Sequence, residues 1–208
     1  MRNFEHVKQR GAVLVVALVM LLAITLLATS SMHNTVLDAR ISGNRATHVQ
    51  LYNLADAALR EAELRLYGQA HVRDKVEHNP ENCSLDNTLQ ANGRNKPCLL
   101  AQMSLGQLDA FLKEPIAAVA DGAGVHEGLS WMPYRGLDAG NSGLLPGKAQ
   151  SYWNIYRLPD GEADQQVFNP HYGESMAGQG TFFFLITGQA DAEVVVQSTF
   201  AATYLGLD

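Results

Sequence analysis

The chain lacks any run of clustered basic residues, and it carries few charges of either sign. Asp, Glu, Lys and Arg make up 17% of its 208 residues, and the formal charge is −6. A surface that grips phosphates needs a basic excess or a basic stripe, so nucleic acid is excluded as the main partner. Cysteine is scarce as well. Cys83 and Cys98 stand without C-x-x-C spacing and without a close His pair, which disfavours a zinc site. The seven His residues are scattered, with no H-E-x-x-H. Asn141-Ser142-Gly143 offers a serine in a glycine-containing turn, but the G-x-S-x-G frame is missing and no His or Asp can be assigned to support it. Gly122-Ala123-Gly124 does not continue as G-x-G-x-x-G and follows no clear strand. Asp160, Glu162 and Asp164 alternate carboxylates in a Gly-containing loop, an oxygen set that Ca²⁺ accepts. Without the EF-hand spacing and its closing Glu, a solvated acidic turn is the preferred reading of these three. No catalytic residue and no cofactor emerge, and the expectation is a protein that is not an enzyme.

What the chain has in quantity is apolar sequence. Apolar residues are 47% of the total, enough for one packed domain, and the length is too short for two ordinary ones. Between Gly11 and Leu37 there is no Asp, Glu, Lys or Arg. The run Ala12–Ala28 (AVLVVALVMLLAITLLA) is apolar apart from Thr25. As a helix it rises about 26 Å, and about 31 Å if extended to Met32, enough to cross the hydrocarbon of a bilayer. Arg2, Lys8 and Arg10 against Glu5 make the residues before it net positive, whereas the remainder of the chain is acidic. A basic flank followed by an apolar span and an acidic body predicts one membrane crossing, with the body in the periplasm. A cleaved secretory signal fits poorly, because the run is longer than a signal core and the following TSSMHNTVLDAR continues as a helix. A generic signal anchor fits everything so far.

Lys8-Gln9-Arg10-Gly11, followed at once by Ala12 and the unbroken apolar helix, resembles the class III leader of type IV prepilins. The longer stretch QRGAVLVVALVMLLAITLLATSSMHNTVLDARISGNRA resembles the amino-terminal region of PilX-type minor pilins, and the likeness covers about the first sixty residues. The resemblance implies a leader at residues 1–11, cut by the prepilin peptidase between Gly11 and Ala12, and methylation of the new amino terminus. It also implies an α+β, type IV pilin-like fold: a spine helix at 12–67 and a periplasmic head at 68–208 with an antiparallel sheet. The partners implied are other minor pilins, the major pilin, inner-membrane lipid and a PilY-type tip adhesin. Most type IV pilins carry Glu as the fifth mature residue, a place held here by Val16, and PilX-type pilins share its absence. A carboxylate there pairs with the ammonium of the subunit ahead, because a lone charge in apolar surroundings is costly. Val16 offers no such partner, while the Ala12 ammonium can still be paired by the next subunit, which suits the first position of a filament. The plainer alternative is drift in an ordinary membrane anchor. The related GspK-type pseudopilins of type II secretion share the absence and are known as calcium binders, but they are usually longer. A membrane-tethered periplasmic enzyme or binding module is the rival of another class.

Beyond Leu37 the pattern turns amphipathic. Tyr52, Ala55, Leu59, Ala62 and Leu66 follow helical spacing, and Leu51, Leu54 and Ala58 widen the stripe. Glu61 and Arg65 fall at i, i+4 and are expected off that stripe. Gly43-Asn44 marks a weak point, and Gly68 is expected to end the helix as a left-handed cap. Residues 69–102 read as a loop-rich connector holding both cysteines, for which an oxidising periplasm predicts a Cys83–Cys98 disulfide. Ser104 followed by LGQLDAFLKEP predicts a capped helix ending before Pro115. Strands are predicted at 129–134, 151–158, 181–187 and 193–204, the last two as a hairpin joined by Gly-Gln-Ala-Asp-Ala. Half of Tyr134, Tyr152, Trp153, Tyr156, Phe168 and Tyr172 are expected in the core.

Overall fold

A computed structural model describes residues 10–90, 92–120, 129–136, 151–158 and 179–205. By compactness the chain divides into two units, Met1–Thr47 and His48–Asp208. Helix α1, Arg10–Tyr67, contributes to both, and its 58 residues run through Gly43-Asn44 without interruption. Thr47 Oγ1 donates to the Gly43 carbonyl at 3.2 Å, one turn back.

In the carboxy-terminal unit, α1 is followed by α2 (Val72–Val76), a 3₁₀ turn (Pro80–Asn82), β1 (Leu99–Leu100), α3 (Leu105–Lys113), α4 (Pro115–Ala120), β2 (Met132–Pro133), β3 (Ser151–Arg157), β4 (Gln179–Ala190) and β5 (Val194–Leu205). The five strands form one sheet in which β3 pairs with β4 and β4 with β5, all antiparallel. Two short strands share the other side of β3. Antiparallel β2 takes its first half and parallel β1 its second. The α+β, pilin-like class expected from the sequence is therefore the architecture observed.

Period-2 alternation assigns the faces. Trp153 and Ile155 of β3, with Phe184, Ile186 and Gly188 of β4, face α1. A Cβ on Gly188 would overlap the Ala55 carbonyl oxygen and stand 2.8 Å from the Leu59 amide nitrogen, so glycine is what lets helix and sheet touch backbone to backbone. Tyr156 lies on the opposite face, where Phe111 of α3 meets it edge to face at 5.0 Å. Helices thus cover both faces of β3, which explains why four consecutive residues of it, Trp153–Tyr156, are buried.

Several local expectations need correction. Gly68 closes α1 by donating to the Leu64 carbonyl at 2.7 Å, but its φ is not positive, and the left-handed glycines among the described residues are Gly136 and Gly180. Its service is space: a Cβ would sit 2.7 Å from the Leu64 oxygen. The β4–β5 connection is shorter than expected. Gly188, Gln189 and Ala190 stay in the ladder, and the turn is Asp191–Glu193, with Asp191 and Ala192 at φ 53° and 55°. The segment 69–102 is less irregular than expected, since it contains α2, the 3₁₀ turn and β1. Ser104 caps α3 with a full capping box, its Oγ accepting from the Gln107 amide and the Gln107 side chain accepting from the Ser104 amide. α3 does end before Pro115, but Pro115 then opens α4 at a first-turn position where its missing N–H costs nothing.

Candidate assembly elements

The amino-terminal part of α1 has no core of its own. Within this helix an 18-residue window reaches mean hydropathy 2.9 with none of it buried, which makes the helix long and apolar enough to cross a membrane. Val13 is 67% exposed and Leu27 73%. Each such side chain gains about 1.5–3 kcal/mol when taken out of water, so the stretch has a strong demand for lipid or for other apolar helices. The hydroxyls of Thr25 and Thr29 make no opposing demand. Thr25 Oγ1 donates to the Leu22 carbonyl at 2.8 Å and Thr29 Oγ1 to the Leu26 carbonyl at 3.0 Å. Gly11 and Ala12 stand in the first turn of α1, and Val16 is 55% exposed a turn further on.

From residue 48 onward the same helix is a packing element. Leu51, Ala55, Ala58, Leu59, Ala62 and Leu66 are buried against the sheet, as the stripe predicted, whereas Tyr52 turns outward at 49% exposure. Glu61 and Arg65, expected off the stripe, are also buried, at 3% and 1% exposure. They form an ion pair of 2.9 Å. Arg65 spends its remaining donors on Asn87, bonding its Oδ1 at 2.9 Å and its carbonyl at 3.2 Å, and its guanidinium lies over the Trp153 ring at 5.0 Å. The second oxygen of Glu61 accepts the backbone N–H groups of Arg135 and Gly136, both at 2.9 Å. Burial pulls the Arg65 pKa down, and the charge and hydrogen bonds of Glu61 oppose that. The pair's placement was missed because i, i+4 spacing reads alike on a wet face and a dry one. The available signal was that both residues flank Ala62 and Leu66 in the stripe.

Asn87 belongs to the segment closed by the Cys83–Cys98 disulfide. Its amide donates to the carbonyls of Asn82 and Lys96, both at 2.6 Å, so the closed loop presents Arg65 with a preset acceptor. Closure of a 15-residue loop contributes about 3 kcal/mol in the chain-entropy account. An open groove of about 390 Å³ lies along this loop beside Asp86, Asn87, Arg94 and Lys96, with mixed charge. Of the aromatic residues, Trp153 and Tyr156 are fully buried and Tyr134 and Tyr152 half-buried. Phe168 and Tyr172 lie outside the described residues, as do Asp160, Glu162 and Asp164, Asn141-Ser142-Gly143 and Gly122-Ala123-Gly124. Among the described residues no group of three His, Cys, Asp or Glu side chains is placed to hold a metal ion.

An exposed apolar helix, and a head in which a helix lies on a mostly antiparallel sheet, define the pilin-like class. Residues 10–60 match the family model described as PilX N-terminal. The amino-terminal region, about a quarter of the chain, is therefore similar to that of PilX-type proteins, which supports a minor pilin of the type IV pilus. No curated protein and no solved structure matched the chain.

Proposed function

We propose that this minor pilin primes type IV pilus assembly and sits at or near the pilus tip. The observation that carries the reading is the charge-free run from Ala12 to Leu37, whose large apolar side chains from Val13 to Leu27 are exposed, with Val16 where a pairing carboxylate is expected. In this reading the prepilin peptidase cuts between Gly11 and Ala12, and the freed amino terminus is methylated. The helix then holds the subunit in the inner membrane, with the head in the periplasm. Small clusters with other minor pilins pack these helices side by side, and major pilins are added beneath. The protein lowers a nucleation barrier and performs no chemistry. Because Val16 cannot neutralise an ammonium ahead of it, the subunit tolerates an empty position there better than a Glu-bearing pilin does, since an unpaired carboxylate in apolar surroundings is costly.

Peptide mass spectrometry of the membrane-extracted protein tests the first step. A chain starting at N-methylated Ala12, seen only in cells with the peptidase, is the expected result. A Met1 start in both strains would sink the reading. Deletion of the protein should leave few surface pili, and Val16→Glu should lower pilus number when it replaces the native protein. Abundant pili after deletion would remove the priming role.

A further inference from the structure

A continuous line of polar contacts runs from the disulfide, through the buried Glu61–Arg65 pair, to the segment that carries β2. Arg65 Nε and Nη2 bond Glu61 Oε1 at 3.2 and 2.9 Å. Among the described residues, the partner of Arg65 Nη1 is Asn87 Oδ1. Asn87 is in turn held at both ends of the closed loop, by its bonds to the carbonyls of Asn82 and Lys96. Asn82 adjoins Cys83, and its own side chain donates across the loop to the Pro97 carbonyl at 3.2 Å, next to Cys98. At the far end of the line, Glu61 Oε2 holds the amides of Arg135 and Gly136. Those two residues finish the segment 129–136, whose start is held beside the disulfide, where the Leu129 amide donates to the Cys83 carbonyl at 2.7 Å. Between the two holds, Met132 and Pro133 pair with Trp153 and Tyr152, and the Tyr134 amide donates to the Ser151 carbonyl at 2.9 Å. A strand of two residues is too short to keep its place on the edge of β3 by its own ladder, so the holds at either end decide whether it is seated.

We propose that Cys83 and Cys98 form a redox latch on segment 129–136: oxidised, the pair seats β2 against β3, and reduced, it lets β2 go. The amide bonds across the loop do not keep it closed alone. The open groove beside Asn87 and Lys96 brings water to them, and a hydrogen bond exchanged for one to water is worth little. Once the loop opens, Arg65, 1% exposed, loses its acceptors on Asn87, and a buried donor without an acceptor is costly. The pair then leaves its dry site, and Arg135 and Gly136 lose the carboxylate that held them. The latch closes by a balanced exchange. Two S–H bonds break and one Sγ–Sγ bond forms, while two protons and two electrons pass to the disulfide of a thiol–disulfide oxidant, which departs as its dithiol. A dithiol reductant reverses the step. A chain not yet oxidised thus presents the β3 edge at 151–153 without its β2 cover, and oxidation covers it. Every residue of the latch belongs to the carboxy-terminal unit, so the inference stands apart from the membrane and pilus readings.

Backbone hydrogen exchange of the full chain in detergent micelles tests the latch, with the disulfide intact and after reduction by excess dithiothreitol. Where the buried bond resists the reductant, the chain with Cys83→Ser and Cys98→Ser takes the place of the reduced form. Reduction should speed exchange at the Arg135 and Gly136 amides at least about tenfold, while the β4–β5 ladder keeps its protection. Asn87→Ala with the disulfide intact should speed the same two amides comparably and leave the Leu129 amide as it was. That variant separates the route through Arg65 and Glu61 from the direct hold by the Cys83 carbonyl, and it carries the test if reduction unfolds the whole head. Unchanged exchange at Arg135 and Gly136 in the reduced chain overturns the proposal. Faster exchange on reduction that Asn87→Ala fails to reproduce overturns it too, in favour of the direct hold. Loss of the ladder's protection in both forms also overturns it, because the cysteine pair would then hold the whole head and not one segment.

Discussion

Two stretches of one helix meet opposite fates. Ala12–Leu37 and His48–Tyr67 are continuous in α1, with no break in the backbone between them. In the first stretch the large apolar side chains from Val13 to Leu27 are exposed, whereas those of the second include Ala55, Ala58 and Ala62 at zero exposure. The difference lies in residue size and pattern, not in helix propensity. Leu, Val and Met all round the first stretch suit a uniform apolar solvent. A narrow stripe with Ala at its closest approaches suits a flat sheet that meets it with Gly188. Stability of the head and partition into apolar surroundings are thus separate properties, encoded in separate turns of the same element.

That separation can be broken by measurement. The largest effect is expected for Arg65→Met, which strands the Glu61 carboxylate in the core and should cost the head about 3–5 kcal/mol in urea unfolding followed by tryptophan fluorescence. A loss near zero would show that the pair is wet and the helix less committed to the sheet. Reduction of Cys83–Cys98 comes next, at about 3 kcal/mol, with no change in extraction from membranes. Ser104→Ala removes the cap of α3 and should cost about 1 kcal/mol by the same measurement. Alkali gives a gentler probe. Burial raises the Tyr204 hydroxyl to about 12 from an ordinary value of 10, so the unfolded chain ionises first. Its stabilising contribution is whole below pH 10 and is lost as pH rises through about 12, and Tyr204→Phe should flatten that loss in a pH-dependent melt. The smallest effect is expected for Leu21→Ala, within about 0.5 kcal/mol of zero for head unfolding, because Leu21 is 66% exposed and touches no core. A larger shift would join what the comparison separates.

The sequence showed most where a pattern depends on neighbours along the chain. The apolar run, the Ser104–Gln107 box and the three long strands were all legible from local spacing. Features decided by contacts distant in sequence were not. Gly188 looked like turn material because glycine punctuates loops, and only the approach of Ala55 and Leu59 explains it inside a strand. β1 is two residues long and exists because β3 offers it an edge, so no periodicity could announce it. Glu61 and Arg65 were expected off the apolar stripe, and their burial depends on Asn87, Arg135 and Trp153, none nearby in sequence. The family match ends at residue 60, just before this pair, so the head had to be read without it.

The hydroxyls of Thr25 and Thr29 carry one more consequence. Each is already bonded to a carbonyl of its own helix, so in the proposed move from bilayer to filament these two hydroxyls need exchange no hydrogen-bond partner. In the proposed role neither hydroxyl holds the subunit back through a contact that must first be released. If the subunit is assembled as proposed, these two positions leave passage from one to the other to shape and to the fit of apolar surfaces, in either direction.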